Sequence, residues 1–204
     1  MLKKILFLLI IVNSGILTAQ NDSLNKTKVE IKFNLVSALA LVPNIGIEVE
    51  LNENFGYQLD TSASFWDSIE GSPFHFVQIF NELRYYPKKF QKNVFLGTHV
   101  GYGMFSVRMP SFLTSIIDTQ TKPIGSYQSG RNTYYGLTIG KKFKLINPKL
   151  GLEMFIGGGS SQSNYKYYNS DGELGYDDPI AKRSFSLSGE EFVYRAGLML
   201  VYKL

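Results

Sequence analysis

The stretch Phe192-Val193-Tyr194-Arg195-Ala196-Gly197-Leu198-Met199-Leu200-Val201-Tyr202-Lys203-Leu204 decides the fold. Phe192, Tyr194, Ala196, Leu198, Leu200, Tyr202 and Leu204 stand at every second position, and Arg195, Gly197, Met199, Val201 and Lys203 fill the gaps. Successive side chains of a strand point to opposite faces, so one face here is apolar and the other mixed. Phe192, Tyr194 and Tyr202 lie towards the ends of the apolar face, with Leu198 and Leu200 between them. That placement suits a greasy belt bordered by interfacial aromatics.

The same alternation recurs along the chain. Ile31, Phe33 and Leu35 oppose Lys32 and Asn34; Ile45, Ile47, Val49 and Leu51 oppose Gly46, Glu48 and Glu50; Phe55, Tyr57 and Leu59 oppose Gly56, Gln58 and Asp60. Val77, Ile79 and Leu83 oppose Gln78, Glu82 and Arg84, with Phe76 and Phe80 on the polar side. Val94, Leu96, Val100 and Tyr102 oppose Gly97, His99, Gly101 and Gly103; Tyr135, Leu137, Ile139 and Phe143 oppose Gly136, Gly140, Lys142 and Lys144; Leu150, Leu152, Met154 and Ile156 oppose Gly151, Glu153, Phe155 and Gly157. With the final stretch these make eight strands of about 9–14 residues, enough for the ~9–11 that cross a bilayer at a tilt.

A soluble sandwich also alternates, and connection length discriminates. Asn52-Glu53-Asn54, Pro87 to Lys92 and Ile146 to Lys149 are short; Met109 to Gly130 and Asn164 to Gly189 are long; Asp67 to Pro73 is intermediate, and Leu41 to Asn44 breaks the trend by being short. Short turns at one end and longer loops at the other are the habit of outer-membrane barrels. The expected fold is all-β: an eight-stranded antiparallel transmembrane β-barrel with short periplasmic turns and longer external loops. An even strand number closes the sheet and leaves no edge in lipid.

Composition agrees. Of 204 residues, 14% are aromatic and only 19% charged, which excludes a disordered chain, and the absence of Cys excludes disulfides and thiolate metal sites. Residues 1–19 read as a signal peptide: Lys3 and Lys4, an apolar run from Ile5 to Val12 too short to span, and Leu17-Thr18-Ala19 as the cleavage site. Removing Lys3 and Lys4 lowers the formal charge of +4 by two, leaving little to attract nucleic acid. The expected organisation is a signal peptide over 1–19, an N-terminal periplasmic segment over 20–28 and the barrel over 29–204, located in the outer membrane of a Gram-negative bacterium.

Eight strands leave an interior just wide enough to be filled by side chains. The inward set contains both charge signs: Lys32, Glu48, Glu50, Asp60, Glu82, Arg84, Lys142, Glu153, Arg195 and Lys203. Charges away from bulk water must pair or stay hydrated, so a plugged polar lumen network is expected, built on Lys32, Glu48, Glu50, Glu82, Arg84, His99, Glu153 and Arg195. Gly97, Gly101, Gly103, Gly136, Gly140 and Gly157 leave room for neighbours such as Phe95 and Phe155.

Several motifs resemble a family of small outer-membrane β-barrel domains of unknown function, the DUF3575 family. Lys32-Phe33-Asn34-Leu35 with Pro43-Asn44-Ile45-Gly46-Ile47-Glu48 resembles its opening, and Glu82-Leu83-Arg84-Tyr85-Tyr86 its Glu-x-Arg-Tyr-aromatic strand. Phe95-Leu96-Gly97-Thr98-His99 with Gly101 and Gly103, Tyr135 to Gly140, and Glu153 to Gly159 continue the match in order. Tyr86 stands where the family pattern has Trp, and Leu204 where such barrels often end in Phe. The resemblance implies location and fold, and no activity.

Chemistry-bearing residues are few. His99 lies mid-strand on the inward face and reads as a lumen hydrogen-bonding residue. His75, with Asp67 and Ser72, supplies the residue types of a lipid-modifying triad at the membrane surface, so His75, Ser72 and Asp67 are the catalytic candidates. Asp171-Gly172-Glu173 and Asp177-Asp178 lack an EF-hand's ligand spacing, and no metal or cofactor is expected. The leading expectation is a non-enzymatic scaffold or accessory protein presenting surface loops to outer-membrane lipid or an envelope protein partner, after insertion by the barrel-assembly machinery. The alternatives are a lipid-modifying enzyme using the loop histidine, or a narrow channel.

Overall fold

A computed structural model describes residues 28–67, 71, 73–87, 93–108, 126–175 and 189–204. The regions expected to be signal peptide, 1–19, and most of the segment 20–28 lie outside the described residues, as do Ser72, Asp177 and Asp178. Eight strands form: β1 (Val29–Asn34), β2 (Asn44–Glu50), β3 (Phe55–Asp67), β4 (Pro73–Tyr85), β5 (Val94–Val107), β6 (Tyr127–Lys144), β7 (Leu150–Tyr168) and β8 (Glu190–Lys203). Each pairs antiparallel with its chain neighbour, and β1 pairs with β8 from Glu30↔Lys203 to Asn34↔Met199, so the sheet closes into a barrel. In such an up-and-down circuit the connectors 51–54, 86–93 and 145–149 share one end with the termini. The strand ends at Asn34 and Asn44, Asp67 and Pro73, Val107 and Tyr127, and Tyr168 and Glu190 lie at the other.

Alternation places charge inside and hydrocarbon outside. Lys32, Arg84, Glu82 and Glu153 are fully buried, whereas Leu137 is 70% exposed, Val100 58% and Ile45 53%. The apolar core within the wall is small: Phe95, Phe155, Met199 and Val201, with Tyr86 packed against them. Glycines opposite the large interior groups make the fit possible. A Cβ on Gly97 would sit 2.6 Å from Glu82 Oε1, and one on Gly101 would strike the Phe80 ring.

Three local features depart from the sequence reading. Strand β1 stops at Asn34 and does not include Leu35; Leu35–Leu39 form a single-turn helix, α1. Asn34 Oδ1 caps it by accepting from the Val36 and Ser37 amides at 3.1 and 3.4 Å, and Leu41 ends the reversal with φ 58. The first connection is therefore longer than Leu41 to Asn44. Strands β6 and β7 also run beyond their expected ends, from Tyr127 and to Tyr168. The ladder continues there while the outward residues turn polar (Ser129, Arg131, Asn164, Lys166), so apolar alternation fades before the hydrogen bonding does.

The third departure is in β8. Phe192 and Tyr194, expected on the outer face, turn inward. The β7–β8 register shifts at Gly157/Gly158, where Gly157 pairs with Arg195 and Gly158 with Val193, leaving Tyr194 as the extra residue of a bulge. Tyr194 consequently shares the interior with Arg195. Val193 becomes the outward residue, 60% exposed.

Candidate functional site

The barrel interior is built from the inward positions of all the strands except β5 into one ion-pair network. Arg84 on β4 is its centre: Nε donates to Glu82 Oε1 at 2.7 Å, and Nη1 donates to Glu48 Oε2 at 2.8 Å and to Glu153 at 2.9 and 3.0 Å. Lys32 donates to Glu153 at 2.5 Å and to Glu48. Lys142 donates to Glu30 at 2.7 Å and Glu48 at 3.0 Å. Glu82 carries the network onward, since its Oε2 accepts from Arg195 at 2.5 Å while Arg195 also donates to Asp60 at 2.7 Å.

This arrangement offsets the cost of burying charge, because every ion faces an opposite charge, and Glu48, Asp60 and Glu82 accept further hydrogen bonds from Tyr86, Gln58 and Thr138. Aromatic faces complete the shell: the Arg84 guanidinium lies 4.0 Å from the Phe95 centroid, and that of Arg195 4.7 Å from Phe80. Tyr86, just past β4, donates to Glu48; burial pushes its hydroxyl pKa up, Lys142 opposes that and Glu48 reinforces it.

His99 sits one layer further from the termini. Thr138 donates to Glu82 at 3.1 Å, so its oxygen accepts from His99 Nδ1 at 2.9 Å, and His99 Nε2 accepts from the Tyr194 hydroxyl at 2.6 Å. That chain assigns the neutral Nδ1–H tautomer. Phe80 and Tyr194 meet the imidazole edge-on with centroids 5.9 and 5.5 Å away, and Tyr134 packs against both at 5.3 and 5.0 Å. The interior is thus an ionic layer capped by an aromatic one.

Of the residues singled out in the sequence, Lys32, Glu48, Glu82, Arg84, Glu153 and Arg195 meet in the ionic layer, and His99 adjoins it. Glu50 is not part of it: it lies at the mouth and pairs with exposed Lys28 at 3.1 Å. Glu30, Asp60, Lys142, Thr138 and Tyr194 belong to the network and were not among the expected set of eight. Parity alone finds Asp60, Lys142 and Thr138; Tyr194 needs the bulge.

His75 and Asp67 are brought together on the outer wall, with His75 Nε2 3.2 Å from Asp67 Oδ1, while Ser72 lies outside the described residues. No cluster suited to a metal ion occurs among the described residues, and none of their helices is long and apolar enough to cross a membrane.

A family model described as a protein of unknown function, DUF3575, matches residues 5–204. No curated protein and no solved structure matches the chain.

Proposed function

The chain belongs to the DUF3575 family, and from that premise we propose that it is a sealed outer-membrane barrel that serves as a rigid scaffold. It holds the connectors 35–43, 68–72, 108–126 and 169–189 outside the cell and 51–54, 86–93 and 145–149 in the periplasm, and it presents its outer loops to a lipid or envelope protein partner. One observation carries the reading: Lys32, Glu48, Asp60, Glu82, Arg84, Glu153 and Arg195 are buried inside, while the middle of the outer wall exposes hydrocarbon such as Ile45, Ile79, Val100 and Leu137. Water does not favour that inversion, since a continuous apolar surface of this extent calls for an apolar solvent. Phe55, Tyr85, Phe143 and Tyr202 stand outward near the terminus-bearing end, and Phe55 and Tyr85 pack with centroids 5.3 Å apart, as an interfacial girdle requires.

The lumen works against a channel. An ion crossing it must break the Arg84 and Arg195 pairs and part the Phe80, Tyr134 and Tyr194 rings. Insertion of such a wall calls on the barrel-assembly machinery. Fractionation tests the proposal: the protein should stay with outer membranes through carbonate washing and shift in mobility on heating in detergent. A monodisperse protein in buffer without amphiphile overturns it.

A further inference from the structure

The plug uses the inward residues of the barrel, and the outer wall carries a second cluster that it does not touch. Antiparallel register assembles that cluster: Phe65 stands opposite His75, His75 opposite Ser106, Ser106 opposite Ser129, and Ser129 opposite Lys166. Directly opposed residues share a face with Cβ atoms about 4.5–5.5 Å apart. Phe65 is 71% exposed, so this face is the outer one. Asp67 lies two residues along on the same face, its Oδ1 3.2 Å from His75 Nε2. The hydroxyls of Ser106 and Ser129 are 2.6 Å apart. One pleat nearer the termini, Met104 stands opposite Arg131. A cavity of about 490 Å³ opens here, lined by His75, Ser106, Ser129 and Arg131 with apolar Phe65 and Met104.

We propose that this row is an ester-cleaving site for acylated, phosphate-bearing lipids lying against the barrel wall. The inference rests on the membrane placement proposed above and adds an activity to the scaffold. With Nε2–H donated to Asp67, the imidazole presents the Nδ1 lone pair as a base, and the cross-strand hydroxyl of Ser106 is the nucleophile. Ser106 Oγ bonds to the ester carbonyl carbon as its proton passes to His75. The carbon–alkoxide bond then breaks, and His75 returns that proton to the leaving oxygen, releasing the alcohol. Water repeats the cycle: it gives a proton to His75, its oxygen bonds to the acyl carbon, and Ser106 leaves with the proton restored. The net reaction converts ester and water into carboxylic acid and alcohol. Arg131 and Lys166 supply the positive charge that a headgroup phosphate requires, beside apolar wall that accepts the acyl chain.

Asp67 is a positioning residue, since it acts through His75. The test uses the full-length protein reconstituted in phosphatidylglycerol vesicles, with released fatty acid measured by mass spectrometry and labelling by a fluorophosphonate mapped to its peptide. The wild type should release fatty acid and carry the label on Ser106. Ser106→Ala and His75→Ala should each lose activity by about 100-fold or more. Asp67→Asn should lower kcat with KM nearly unchanged, because the amide no longer fixes the orientation and tautomer of the His75 imidazole. Flotation with the vesicles and the heat-dependent mobility shift should be unchanged in all three variants. Equal release by wild type and Ser106→Ala, or no release by a folded, vesicle-bound wild type, overturns the site while leaving the membrane reading intact; failure to float overturns the membrane reading first.

Discussion

Arg84 concentrates the energetics of the interior in one side chain. Its guanidinium faces Glu48, Glu82 and Glu153, all buried. Arg84→Ala should lower stability by about 3–5 kcal/mol, because it strands carboxylates that cannot reach water. Reversible urea unfolding in lipid vesicles, followed by Trp66 fluorescence, checks this. Arg84→Lys should lose less than the alanine variant, since an ammonium keeps the charge but cannot make both the Nε and Nη1 contacts. Period two identifies Arg84 as inward. It does not identify its partners, because Glu48 and Glu153 are 36 and 69 residues away and become neighbours only when the sheet closes.

At the scale of single elements, turn chemistry and close approach decide what hydrophobic pattern does not. Asn34 ends β1 by capping α1, and Asn34→Ala should cost about 1 kcal/mol in the same unfolding assay. In β5, Gly101 lies under the Phe80 ring, which Tyr134, Tyr194 and His99 hold in place. Gly101→Ala should therefore destabilise by about 1–3 kcal/mol, as overpacking does. The strands were legible as alternating runs, whereas the upper parts of β6 and β7 were not. Their outward residues there are polar, so the pairing leaves no hydrophobic signature. The β8 bulge was equally hidden. Gly157-Gly158-Gly159 hints at one, but only the offset against Arg195 and Val193 shows that Tyr194 turns inward.

For the whole molecule, the outer wall and the plug make separate demands. Leu137, 70% exposed on the middle of β6, should face acyl chains, and Leu137→Arg should reduce stability in vesicles by about 2–4 kcal/mol. The intact barrel should give no conductance above background in a planar bilayer, and single-channel events in the wild type would refute the sealed lumen. The amino-acid sequence by itself determined the closed, inside-out barrel, because a period of two with eight repeats leaves few other ways to segregate charge from hydrocarbon. Only the tertiary structure decided which ions pair, that His99 is held between Thr138 and Tyr194, and that His75, Ser106 and Ser129 form one row on the wall with Asp67 beside His75. Register couples residues far apart in the chain, and a single-residue slip or bulge changes every neighbour while leaving the local pattern untouched.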